Sequence, residues 1–193
     1  VAHSAFNILC TAMLLPCGGL LEKLAVRLVP DKAQAEETVE LDERLLATPS
    51  LALQRCRAVA CDMAAQATLA LQNALRSLEH YTPELAASIR EDESRCDHYE
   101  DVLGTYLVKL SARKMGDEAT ELLKTIGDLE RISDHAVNVL ESAEELRDKE
   151  LSFSDAARRE LSVLTAAVDH ILTMSLDAFR DKSVPLARQV EPL

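Results

Sequence analysis

Two pairs of carboxylates share one spacing in this sequence: Glu93 with Asp97, and Glu130 with Asp134. Four residues apart on a helix, the members of a pair stand on one face with Cβ atoms about 5–6 Å apart, where like charges repel unless a cation joins them. Oxygen donors so arranged suit hard ions such as Mg²⁺, Mn²⁺, Ca²⁺ or iron. A solvated ion-pair face competes with that reading, because Arg131 stands three residues from both Asp128 and Asp134. One pair alone favours the solvated face, since charged helical positions lie mostly at the surface. Two pairs favour a metal ion, provided the fold brings them to one groove.

The elements that must do so are helices. Apolar residues make up 48% of the chain but aromatic residues only 3%, and no segment sustains the period-two alternation of a half-buried strand, so the fold class is all-α. Thr48-Pro49 and Thr82-Pro83 each supply an N-cap followed by a first-turn proline. They open helices predicted to run to about His80 and Arg113. Gly116 marks a tight turn before a third helix, which ends near Asp148. Ser154 caps a fourth reaching about Asp181, and Pro185 begins a fifth.

On the second helix, Leu85, Ile89, Cys96, Leu103, Leu107 and Leu110 form an apolar stripe with Glu93 and Asp97 along one edge. On the third, Leu122, Ile126, Leu129, Ala136, Val137 and Leu140 form the stripe, and Glu130 and Asp134 lie on the same rotational side. The short turn makes the two helices antiparallel neighbours, so these edges face each other with a height offset of roughly 7–8 Å. Four carboxylates then line one groove. Asp101 extends the first row, and Asn138, Glu141 and Glu145 extend the second, the last two toward solvent. His98 and His135 are one residue further round and read as structural or supporting. Neither His80 nor His170 has a carboxylate three residues earlier, so the Glu-x-x-His pattern of di-iron bundles is absent.

A net charge of −12 leaves no basic track for a phosphate backbone, which argues against nucleic acid as a partner. Five cysteines, none in a C-x-x-C pair, read as reduced, mostly core-packing thiols. There is no glycine-rich phosphate loop, nucleophile elbow or Ser/His/Asp set, so an enzyme is not expected.

Residues 5–21 are uncharged and mostly apolar, slightly short of the ~20 residues a bilayer requires. Residues 1–4 extend the run, and the expectation is a terminal membrane segment over residues 1–30. The alternative is a buried helix. Lys23, Arg27 and Lys32 place the downstream side, residues 31–193, in the cytoplasm. Residues 31–47 read as an acidic linker and residues 48–193 as the bundle. A shift of about 101 positions superposes Leu71 on Leu172, Leu75 on Leu176 and Leu78 on Phe179, a faint internal repeat.

The run Asp128-Leu129-Glu130-Arg131-Ile132-Ser133-Asp134-His135-Ala136 resembles the hallmark of the PhoU family, and Glu93-Ser94-Arg95-Cys96-Asp97 resembles its matching element on the preceding helix. Ser133 stands where that family usually has glycine. Residues 3–30 and 41–53 are similar to the last membrane segment and junction of bacterial sodium/phosphate cotransporters that carry a PhoU-like domain. The resemblance implies metal ions on the carboxylates, with iron, Mg, Mn and Zn as candidates, and a regulatory role in phosphate transport. It implies the bacterial inner membrane as location and a phosphate-transporter membrane domain, encoded before Val1, as partner. A homo-oligomer is compatible with it. Residues 187–193 are similar to the approach to the second repeat's carboxylate pair, so the second repeat is expected to be truncated. A free-standing PhoU-type regulator and a purely structural helical interaction module are the alternatives.

Overall fold

Asp42 accepts a hydrogen bond from the Arg44 amide and starts a 3-10 helix, Glu43–Ala47. It begins the part of the chain that the computed structural model describes, residues 41–112 and 116–190. Five α-helices follow: α1 (Pro49–Ser77), α2 (Pro83–Ser111), α3 (Gly116–Asp148), α4 (Asp155–Arg180) and α5 (Val184–Val190). The described residues form no strand, and the all-α expectation holds. The expected membrane segment, residues 1–30, lies outside the described residues.

The helix ends follow local chemistry. The Thr82 and Ser154 hydroxyls accept from the Leu85 and Ala157 amides, satisfying donors that the first turns of α2 and α4 leave open. Glu150 and Lys182 adopt left-handed conformations just past α3 and α4, both at φ 52°. Gly116 opens α3, where an added Cβ would approach the Ser111 carbonyl oxygen to 3.0 Å. Only a glycine fits there without a shift.

α1 lies at the centre of the packing. Ala52, Ala60, Ala64, Ala67, Ala70 and Ala74 are all buried along it, and side chains that small let α2 and α3 approach closely. Met63, Ile89, Leu103, Leu107, Leu110, Ile126 and Leu140 fill the remaining space. The apolar stripes of α2 and α3 lie on this core, except that Leu85, Leu129 and Val137 are only partly buried at its edge.

The contacts fix the directions of the helices. Arg90 meets Glu144 near one end of the α2/α3 pair, and Gly104 lies against Leu123 toward the other, so these two helices are antiparallel. At the first end Arg90 grips Glu144 through two hydrogen bonds of 3.1 and 2.7 Å, Tyr81 donates to the same carboxylate, and Arg147 sits 4.4 Å above the Tyr81 ring.

Residues 41–47 pack onto the bundle instead of extending from it as the linker reading expects. Leu46 is buried, Leu41 and Leu45 touch the core, and the Tyr106 hydroxyl donates to the Asp42 carbonyl. Burial of Leu46, with partial burial of Leu41 and Leu45, outweighs the local acidity. α4 runs antiparallel to α1, with Gln72 donating to Asp169 near its middle and Phe179 meeting Arg57 at its end. Only Leu172 and Ala178 are buried on it, while Val163 and Leu164 are 72% and 61% exposed. Among the described residues, α4 is the helix whose length and composition suffice to cross a membrane.

Candidate metal centre

The antiparallel register decides which carboxylates meet. One oxygen each from Glu93 and Asp97 on α2 and Asp134 on α3 lies within 4.8 Å of the other two. Glu130 is outside that group. It stands one turn from Asp134, in the direction in which Asp101 stands from Asp97, so the helix offset read from the sequence places it level with Asp101. It still belongs to the same electrostatic unit. Burial raises its pKa, followed by the charge of Asp134, a hydrogen bond to that carboxylate, and the charges of Glu100 and Asp97.

The other members respond alike. Burial, then Asp97 and Asp134, push the Glu93 carboxyl above its ordinary value; burial, then Asp134 and Asp101, do the same for Asp97. Raised carboxyl pKa values mean that the charged forms are disfavoured, first by burial and then by repulsion from the neighbouring carboxylates. Arg131 does not relieve it. That guanidinium pairs with Asp128 at 3.6 Å, with both side chains about three-quarters exposed. Among the described residues, no lysine or arginine forms an ion pair with Glu93, Asp97, Glu130 or Asp134.

Behind the carboxylates, Cys96 and Ser133 are both completely buried. The Ser133 hydroxyl donates to the Glu130 carbonyl at 2.9 Å, and the Cys96 thiol donates to the Met63 carbonyl at 4.0 Å. Burial pushes that thiol up to about 11, so at neutral pH it stays protonated and offers no thiolate to a soft metal. The donor set is therefore all oxygen, which fits Mg²⁺, Mn²⁺ or iron better than a zinc site built on sulfur or imidazole.

The remaining candidates fall away from the groove. His135, Asn138 and Glu141 are exposed, and Glu145 forms its ion pair with Lys149. His98 has a buried Nε2 without a hydrogen-bond partner. Sequence reasoning passed over Asp92. It is only 6% exposed, Arg95 lies 3.8 Å away, its other oxygen is unpartnered, and burial raises its pKa. The flanking Glu91 and Glu93 made it look like part of a solvated run; its one signal was the four-residue spacing to Cys96.

Residues 60–143 match the PhoU domain. Over this stretch the chain is similar to PhoU domains. The match takes in most of α1, all of α2, and α3 as far as Ala143, so both carboxylate pairs fall inside it. PhoU domains are regulatory helical bundles associated with phosphate transport, which agrees with the lack of catalytic machinery in the sequence. No curated protein and no solved structure matches the chain.

Proposed function

We propose that the PhoU-like bundle binds divalent or trivalent metal ions through Glu93, Asp97 and Asp134, with Glu130 completing the shell, and that occupancy of this site regulates phosphate transport. The supporting observation is the meeting of three carboxylate oxygens from two helices within 4.8 Å, with no lysine or arginine paired to them among the described residues. A bound ion would bridge α2 and α3 and offset both the burial and the mutual repulsion that raise the carboxyl pKa values. Iron, Mg and Mn suit the oxygen shell, and Zn is the weaker candidate.

In this reading residues 1–30 are the terminal membrane segment of a bacterial sodium:phosphate symporter, and residues 31–193 lie on the cytoplasmic face, where they report the state of the cell to the transporter's membrane domain. The resemblance of residues 3–30 and 41–53 to such junctions supports it. A helical interaction module is the second reading, supported by the exposed apolar side chains of α4.

Elemental analysis separates the two. The full chain purified in parallel with its E93A/D97A/E130A/D134A variant should retain metal that the variant loses. Equal metal content in both would overturn the site and leave the interaction module.

A further inference from the structure

Positive charge gathers at the end of α4 in a chain whose net charge is −12. Arg57 on α1 is half-buried there, and its Nε is fully shielded with no hydrogen-bond partner. Its guanidinium carbon lies 5.4 Å from the centre of the Phe179 ring. Lys182 follows the helix in a left-handed conformation, its amide donating to the Phe179 carbonyl while the Ser183 amide donates to that of Ala178. Such helix closures normally use glycine, and a lysine there carries steric strain that glycine would not. Cys61 registers the same charges: burial raises its thiol pKa, opposed by Arg57, Arg180 and Lys182, with Asp62 adding to the rise. Arg180 is engaged by Asp177 and Asp181. Among the described residues, Arg57 and Lys182 have no ion-pair partner.

Two cavities meet at this corner. One, of about 610 Å³, includes Glu118 and Glu121 and so repels anions. The other, of about 500 Å³, has no acidic residue; Arg57, Lys182 and Ser183 form its polar side, and Phe179, Val184 and Val190 are among its apolar walls. We propose that this second cavity binds a small amphiphilic anion, with a carboxylate or phosphate head on Arg57 and Lys182 and an apolar body along Phe179, Val184 and Val190. A half-buried guanidinium with a shielded, unpartnered N–H is a costly group that an oxyanion would satisfy. Its planar fork suits either head group. The volume is that of a drug-sized ligand site, and a bare inorganic anion would leave the apolar walls uncovered.

Calorimetric titration of the full chain with decanoate, decyl phosphate, decanol and inorganic phosphate tests this, with the alkyl ligands kept below their micelle concentrations. Decanoate, decyl phosphate or both should bind at least about tenfold more tightly than decanol and than inorganic phosphate. The tighter of the two identifies the head group. Lys182→Gly relieves the left-handed strain, so it removes the charge without endangering the fold, and it should weaken binding about tenfold, as should Arg57→Gln. Equal affinity for decanol would reduce the site to a greasy surface. Equal affinity for inorganic phosphate would remove the role of the apolar walls, and unchanged binding by both variants would place any ligand elsewhere; each result overturns the proposal.

Discussion

Glu144 carries an electrostatic role opposite to that of the groove carboxylates. Its hydrogen bonds from Arg90 lower its pKa from the ordinary value of 4.5 against the opposing effect of burial, assisted by the charge of Arg90, by Tyr81 and by the charge of Arg147. A carboxylate with a depressed folded-state pKa contributes stability that is present above the unfolded value and lost as the pH falls through the folded one. Urea denaturation should therefore find Glu144→Gln less stable than the wild type at pH 7, with the gap closing as the pH falls below 4.5. Ser133 makes a different point. It stands where the PhoU family usually has glycine, but its side chain is buried and its hydroxyl donates to the Glu130 carbonyl. Ser133→Gly should lower stability by about 1 kcal/mol, through backbone entropy and the lost hydrogen bond, while leaving metal content unchanged. Asp92 was harder to see, because the turn of helix that buries it is set by the rotation of α2 against its neighbours, and charge in the sequence masks that rotation.

The helices themselves were legible in detail. Thr82 and Ser154 cap where their spacing predicts, while the Thr48 side chain makes no cap hydrogen bond; the stripes of α2 and α3 bury as their periodicity requires except at Leu85, Leu129 and Val137, which are partly buried at the edge. The height offset was also legible, from the distances of the two pairs to the turn, but not which oxygens it would bring together. The offset separated Glu130 from the tight group and left Glu93, Asp97 and Asp134 together. In residues 41–47 acidic neighbours hide Leu46, which is buried, and Leu41 and Leu45, which pack partly buried against the core. The closest packing falls on α1, where alanine marks the contact positions. Ala67 is completely buried, so Ala67→Leu must force the helices apart and should destabilise by about 1–3 kcal/mol in a denaturant titration, whereas the surface substitution Leu69→Gln should stay within about 0.5 kcal/mol.

At the scale of the whole molecule, one face is finished and another is not. α1, α2 and α3 close around a common core, while α4 keeps Val163 and Leu164 in solvent. Replacing both with serine should reduce binding of a hydrophobic dye and leave the melting temperature nearly unchanged, since neither contributes to the core. The finished face carries the carboxylate groove, the proposed metal site. Thermal unfolding of the wild type and of E93Q/D97N, each in chelator and each with added Mn²⁺, measures that directly. In chelator the variant should be the more stable, because raised carboxyl pKa values mark charges that oppose the fold near neutral pH. With Mn²⁺ at about 100 times its Kd the wild type should gain about 2.7 kcal/mol and the variant little, reversing the order. A gain of the same size in both proteins, or in neither, would contradict the account.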